Sequence, residues 1–211
     1  RVPSENEFVR DLGVSRMTVN RALREMTSEG ILRRVQGLGT FVAGFQSQSE
    51  LLELRNIADE VTARGKRHSA ELLTLEEIPV SGENARSLCL EEGALAFHSV
   101  MVHFEDDAPI QYEDRLVNPG LAPGYLEQDF TVTTPNEFLM RAAPLGEVEH
   151  IVEAIFAAPP IREKLNMQPE EGCLLLHRRT WSGGRVASRA WLYHPGSRYR
   201  LGAHFTQETN N

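Results

Sequence analysis

Apolar residues recur at helical spacing along the first part of the chain, which predicts two short helices in close succession. Ser4 and Glu7 have the spacing of a capping box at the start of the first helix, and Gly13 stops it. Ser15 caps the second helix. The apolar stripe of this helix is formed by Val19, Ala22, Leu23 and Met26. The stretch therefore predicts a helix, a tight turn and a second helix.

Two β-rich runs follow, over residues 31–35 and 38–42, and Gln36-Gly37 between them is a hairpin signal. A helix-turn-helix places its second helix in the DNA major groove, where arginine reads guanine and asparagine reads adenine. The predicted DNA-contacting residues are Ser15, Arg16, Thr18, Asn20, Arg21, Arg34, Gly37, Gly39 and Thr40. The alternative interpretation is a small helical bundle with a solvated basic face.

The remaining pattern predicts an α+β domain after a polar linker, so that residues 1–44 form a DNA-binding unit, 45–50 a linker and 51–211 a sheet domain. Helices are expected at residues 50–64, 83–90, 134–141 and 160–165. Strands are expected at residues 70–78, 95–104, 110–117, 148–156, 173–181 and 186–194.

The sheet domain contains a repeat. Residues 88–98 resemble residues 165–177, with matching positions 79 residues apart. A hairpin follows each copy and ends in Pro-Gly, where the separation is 76 residues. We interpret the repeat as two units of a helix and a hairpin that form one antiparallel sheet with pseudo-twofold symmetry.

Alternation along the strands predicts a ligand-binding face. If Phe104 lies opposite Ile110, then Met101 shares a face with Glu113, and the repeat carries Arg178 and Arg189 to that face. An acid beside two arginines would bind a small aromatic anion. The candidate effector-binding residues are Met101, His103, Glu113, Arg115, Glu153, Arg178, Arg189 and Tyr193. The alternative is an exposed sheet face crossed by weak ion pairs.

Charge divides between the two predicted domains. The whole chain carries −8, but residues 1–44 carry +2, which concentrates basic charge on the predicted DNA reader. Cys89 and Cys173 are expected to be reduced core residues of a cytoplasmic protein. Histidine and cysteine spacings predict no metal site or cofactor, and no apolar run is long enough to span a membrane.

Several segments also carry a family resemblance. PSENEF, LGVSRMTVNRALREM, EGIL and GLGTFVA resemble the winged helix-turn-helix of GntR-family bacterial transcription regulators over the first 43 residues. Such domains begin one helix earlier, which implies a truncated N-terminus. Many members have arginine where this chain has Asn6, so the resemblance carries no DNA contact to that position.

A second resemblance covers residues 51–205. PIQYEDRLVNP, APGYLEQDFTVTTPNEFL, EHIVEA, CLLLHRRTW and HPGSRYRLGAHF resemble the effector-binding (UTRA-type) domain of the HutC branch, whose fold is similar to chorismate lyase. The resemblance implies a homodimeric repressor of histidine-degradation genes that binds a palindromic operator and is released by urocanate. Branch members that sense amino-sugar phosphates have arginines at the positions of Met101 and His103, so their absence disfavours a phosphosugar.

Three alternatives remain open on the sequence. In the first alternative, the chain is a regulator of the same class that senses a different effector, such as a sugar or an amino acid derivative. In the second alternative, the sheet domain is a lyase for an aromatic acid. No nucleophile and base stand at catalytic spacing, so we expect no enzyme activity. The N-terminal domain docks protein instead of DNA, in which case a steep salt dependence of binding would be missing.

Overall fold

The structure, a computed structural model, describes residues 2–28, 32–35, 39–42, 47–50, 56–144 and 146–202. The chain divides into two compact units, Arg1–Gln46 and Ser47–Asn211. Among the described residues, no helix is long and apolar enough to cross a membrane.

The first unit contains two helices and a hairpin. The helices are α1 (Glu5–Leu12) and α2 (Arg16–Ser28), and the strands are β1 (Leu32–Val35) and β2 (Gly39–Val42). The predicted capping box is confirmed, because the Ser4 hydroxyl accepts from the Glu7 backbone N–H and the Glu7 carboxylate accepts from the Ser4 N–H. Gly13 ends α1 at φ 64°, a left-handed conformation that glycine adopts without strain.

The second unit is built on a six-stranded antiparallel sheet of order β4-β5-β6-β9-β8-β7. Its strands are β4 (His68–Pro79), β5 (Leu95–Glu105), β6 (Ala108–Val117), β7 (Glu147–Ile155), β8 (Cys173–Ser182) and β9 (Arg185–Pro195). The helices are α3 (Ile57–Ala63), α4 (Gly82–Leu88), α5 (Pro135–Ala142) and α6 (Pro159–Lys164). A separate parallel pair joins β3 (Ser47–Glu50) to β10 (Tyr199–Gly202).

The strand order bears out the repeat and enlarges it. Each unit consists of an edge strand, a helix and a hairpin, because β4 and α4 precede the β5–β6 hairpin as β7 and α6 precede the β8–β9 hairpin. The two units meet where β6 pairs with β9, which places a pseudo-twofold axis at the centre of the sheet.

Helices pack against both faces of the sheet, whereas the edge strand β7 is mostly exposed. Face A carries the side chains of Met101, Glu113 and Arg178, and lies under α3, α5 and the segment 118–134. Face B carries His98, Leu116 and Arg189, and packs against α4 and α6. The core of face A is centred on Tyr125, whose ring contacts Phe97, Phe130 and Phe138. Because α3, α5 and the segment 118–134 lie over face A, its polar residues are enclosed by protein.

Two sequence predictions are wrong. The helix expected over residues 50–64 begins at Ile57, because the Asn56 side chain accepts from the Ala58 N–H and caps it there, whereas Ser47–Glu50 form a strand. Cys89 is exposed, because it ends α4 in a left-handed conformation while preceding residues of that helix take the buried positions. Cys173 is buried as expected.

Leu139 of α5 supplies a test of the packing on face A. Leu139→Ala should lower the free energy of unfolding by about 2–5 kcal/mol, because truncation of this buried side chain leaves a cavity in the Tyr125 cluster. Val132→Ala is the matched control: Val132 is 85% exposed, so its truncation should cost less than about 0.5 kcal/mol. Urea unfolding followed by circular dichroism measures both, and equal losses would contradict the assigned packing.

Candidate functional site

The start of α2 presents polar side chains to solvent. Arg16 is 73% exposed, and Thr18 and Arg21 are also exposed. Glu5 of α1 accepts from Asn20 Nδ2 at 2.9 Å and from Arg16 Nε at 3.4 Å. The contact with Glu5 uses Nε of Arg16, and arginine recognises guanine through paired hydrogen bonds. Ser15 accepts from the Thr18 N–H and caps the helix.

The hairpin completes the candidate DNA surface. Arg34 pairs with Thr40, and Val35 with Gly39. Gly37 and the side chain of Arg34 lie outside the described part of the structure, and their DNA contacts stay predictions. The sequence analysis did not single out Met17, which follows Arg16 and is 84% exposed; an apolar side chain at such a position is a candidate contact for a thymine methyl group.

Face A holds a buried ion pair. Arg115 Nε donates to Glu113 Oε1 at 2.6 Å, and both side chains are almost completely buried. Burial alone would raise the pKa of Glu113, but the Arg115 guanidinium beside it outweighs burial and holds that pKa well below its usual range. The pair therefore stays ionised inside the domain at neutral pH.

The second arginine of face A, Arg178, lies two strands from Arg115. The strand pairing sets Ser99, Arg115, Ala190, Arg178 and His150 in one row across five strands. In this row the two arginines lie on either side of Ala190, which is completely buried. Arg178 Nε donates to His150 Nε2 at 2.9 Å, and burial lowers the pKa of Arg178 to about 10, so it remains charged at pH 7.

Two buried side-chain nitrogens of this face have no hydrogen-bond partner within the part of the chain that the structure describes. Arg115 Nη1 donates to Ser188 Oγ at 3.1 Å, whereas Arg115 Nη2 and His103 Nε2 have no hydrogen-bond partner among the described residues. His103 Nε2 lies 3.6 Å from Glu113 Oε2. Buried nitrogens without partners cost free energy in a folded protein. They are therefore candidate ligand contacts.

Helix starts form the other wall of this face A pocket. Thr134 Oγ1 donates to Asn56 Oδ1 at 2.8 Å, so the N-cap residues of α5 and α3 meet above the sheet. Glu60 of α3 is buried and accepts from the Tyr199 hydroxyl at 3.1 Å. The pocket is lined by Asn56, Ile57, Glu60, Gln111, Glu113, Thr134, Asn136, Arg178 and Leu192.

The wall residues were missed because their sequence signals indicate helix starts and not ligand contacts. Thr134 is the first residue of the helix predicted at 134–141 and caps α5, whereas Asn56 falls inside the helix predicted at 50–64. Only the packing of α3 and α5 over the sheet brings these side chains together.

The structure divides the predicted effector residues between the two faces. Met101, His103, Glu113, Arg115 and Arg178 lie on face A, although Met101 is enclosed in the apolar Tyr125 cluster. Arg189, Tyr193 and Glu153 lie on face B. The repeat offsets place Arg189 opposite Thr180, whereas Thr180 pairs with Ser188. A one-residue change of register moves a side chain to the other face.

His194 lies at the edge of the face A pocket. Its ring stacks on Tyr199 at 3.7 Å, its Nδ1 donates to the Ile110 carbonyl, and its Nε2 accepts from Gln111. One neutral tautomer satisfies both hydrogen bonds. Burial lowers the pKa of His194 to about 3, which agrees with a neutral ring.

Comparisons with known proteins agree with this architecture. The model described as "Bacterial regulatory proteins, gntR family" matches residues 1–42, and the "UTRA domain" model matches residues 63–200. The chain is 53% identical to the histidine utilization repressor of Pseudomonas putida over 207 residues, which covers 98% of this chain and 84% of that protein.

Solved structures agree as well. One of them is the C-terminal domain of the histidine utilization repressor from Pseudomonas syringae pv. tomato str. DC3000, which is 48% identical to this chain. The two structures superpose with a TM-score of 0.65, and the match covers 67% of this chain and all of that domain. PhnF from Mycobacterium smegmatis shares the fold across 98% of this chain and 92% of its own, with a TM-score of 0.82 at 20% identity.

The neutral His194 predicts a pH dependence of stability. Its folded pKa of about 3 lies below the value of about 6.5 in an unfolded chain, so acidification from pH 6.5 protonates the unfolded chain first and favours unfolding. This residue should lower stability by up to about 1.4 kcal/mol per pH unit in that window. His194→Gln should flatten the decline, as measured by urea unfolding between pH 7 and about 4.

His98→Gln supplies a control of opposite sign. Hydrogen bonding to Asp114 raises the pKa of His98, so its stabilisation is present below pH 6.5 and is lost as the pH rises through the folded value. Removing His98 should therefore cost stability mainly in acid and make the decline steeper. Parallel curves for the wild type and His194→Gln would contradict a neutral buried ring.

Proposed function

Because the chain belongs to the GntR family and carries a UTRA domain, we propose that it is a DNA-binding repressor of histidine-utilisation genes whose effector is urocanate. The observation that carries the proposal is its 53% identity to a histidine utilization repressor over almost the whole chain. The exposed polar start of α2 and the enclosed pocket of charged and polar side chains on face A support the two halves of this activity. A binding role also agrees with a family of transcription regulators.

The chemistry of the face A pocket supports a small aromatic carboxylate. Urocanate combines an imidazole ring with an acrylate tail. Arg178 lines the pocket, and Arg115 Nη2 lies on the other side of Ala190. The two guanidinium groups would hold the carboxylate once α3 and α5 move away from the sheet, because the cavity has a volume of only about 10 Å³ in this structure. Glu60 and Glu113 line the same pocket and can accept from a ring N–H. A phosphosugar is less well supported as the effector. Branch members that sense amino-sugar phosphates have an arginine at the position of Met101, and in this chain Met101 is completely buried in the core.

We further propose that the chain boundary between the two units acts as a hinge and that a route leads to it from this pocket. Glu60 binds Tyr199, the first residue of β10, and β10 pairs in parallel with β3. Strand β3 begins at Ser47, directly after the boundary between the two units. A ligand that reorganises Glu60 would therefore shift the strand pair next to the hinge.

Release of DNA requires that the effector favours one conformation over another. A ligand with equal affinity for two states shifts neither. We propose a homodimer whose two readers fit the half-sites of a palindromic operator only in the ligand-free arrangement. Urocanate binding would then favour an arrangement with a different spacing of the readers.

Arg16 tests the DNA-binding half of the proposal. Arg16→Ala should weaken operator binding at least about tenfold and relax base preference at one position of each half-site, since a paired arginine–guanine contact contributes about 1–3 kcal/mol. Arg10→Ala is the matched control, because Arg10 is an exposed arginine on α1 that pairs with Asp11. Fluorescence anisotropy with an operator duplex at several salt concentrations measures both, and equal losses would point to a nonspecific charge effect.

Arg178 tests the effector half. Arg178→Gln should weaken urocanate binding at least about tenfold, because it removes a charged donor from a buried site, while operator affinity without urocanate stays unchanged. Arg185→Gln, at an exposed arginine in the β8–β9 turn, should behave as the wild type. Calorimetry measures urocanate binding, and an unchanged affinity in Arg178→Gln would exclude the face A pocket as the urocanate site.

A further inference from the structure

A second cleft lies on face B, on the side of the sheet opposite the proposed urocanate pocket. It has a volume of about 450 Å³ and lies between α4 and the edge strand β7. Ligand pockets of small molecules have volumes of about 300–1,000 Å³. The floor of the cleft is formed by β8 and β9, two strands inside the sheet, so its position in the fold is well fixed.

Two arginines of this floor lie directly opposite each other. Arg179 and Arg189 are a register pair of β8 and β9, an arrangement in which like charges destabilise a sheet. Each guanidinium stacks on a tryptophan, Arg179 at 4.7 Å from the ring of Trp181 and Arg189 at 4.2 Å from the ring of Trp191. Stacking fixes the orientation of both groups and leaves their edges available for an anion.

The acids that now face these arginines are at the rim. Glu149 lies 3.2 Å from Arg179, and Glu83 lies 2.9 Å from Arg189. Their side chains are 45% and 74% exposed, against 33% and 14% for their partners, so the positive charge is deeper than the negative charge. Ion pairs with partners this exposed contribute little to stability and are readily exchanged for a ligand.

The floor also contains an unsatisfied donor. Arg179 Nε is buried and has no hydrogen-bond partner among the described residues. His177, two residues earlier on β8, faces the same cleft and lies 2.6 Å from Glu153. Arg178 between them points to face A, so a ligand in the cleft would lie back to back with one in the face A pocket.

We propose that the face B cleft is a second binding site, for a small dianion of the dicarboxylate or phosphate type. Two guanidinium forks on a rigid floor match the paired oxygens and the double charge of such a ligand. The rim glutamates would swing into solvent as the dianion takes their place. The site does not depend on DNA binding or on the identity of the proposed effector.

Tryptophan fluorescence provides the test, because the chain contains two tryptophans and both lie beneath these arginines. The full chain is titrated with succinate and with inorganic phosphate at constant ionic strength, and with neutral succinamide as the control ligand. We expect a saturable emission change with at least one dianion and none with succinamide. The dianion that binds identifies the chemical type of the ligand.

Variants locate the site. Arg189→Gln should raise the Kd at least about tenfold, whereas Arg67→Gln, at an exposed arginine paired with Asp107 outside the cleft, should leave the Kd unchanged. Circular dichroism checks that both variants are folded. The proposal is overturned if neither dianion gives a saturable change up to about 10 mM, at which a site with a Kd of 1 mM would be mostly filled. Equal binding by Arg189→Gln and the wild type would overturn it as well.

Discussion

The buried ion pair of Glu113 and Arg115 is the constraint around which the second unit is arranged. A charge removed from water must be paired and hydrogen-bonded, because leaving it alone costs several kcal/mol. Arg115 satisfies Glu113 through Nε and Ser188 through Nη1, and the pair is enclosed by α3, α5 and segment 118–134. One nitrogen of Arg115 has no hydrogen-bond partner among the residues that the structure describes. The fold thus keeps a charged, partly unsatisfied centre inside the domain, which is the property that an anion-binding pocket requires.

The same enclosure connects the pocket to the ends of the domain. Its wall includes Glu60, and Glu60 holds Tyr199 at the start of β10. The neutral His194 ring supports Tyr199 from the other side and binds Gln111 of the pocket. Since β10 pairs with the first strand of the second unit, a few buried polar contacts join the ligand-facing side chains to the segment that follows the DNA-binding unit.

The internal repeat explains why charged residues gather on both faces. Each repeat contributes a hairpin, and the two hairpins meet at the pair of β6 and β9. Successive residues of a strand point to opposite faces, so the run of Arg178 and Arg179 supplies one guanidinium to each side of the sheet. The face A arginine is deeply buried under α3 and α5, whereas the face B arginine is stacked on Trp181 and reached from an open cleft.

Local physical chemistry in the sequence determined much of this protein. The caps at Ser4 and Thr134, the apolar stripe of α2 and the alternating strands give correct elements, because each depends on neighbours only a few residues away. The repeat and the pairing of Met101 with Glu113 were also predictable, since register follows from alternation and turn length. Tertiary structure decided what no local pattern contains. It set the second hairpin one residue from the register that the repeat implied, which moved Arg189 to face B. It brought Asn56, Glu60 and Thr134 over the sheet to enclose the polar face. These outcomes depend on the packing of segments that are far apart in the chain. Such packing cannot be predicted from the spacing of residues along a single segment.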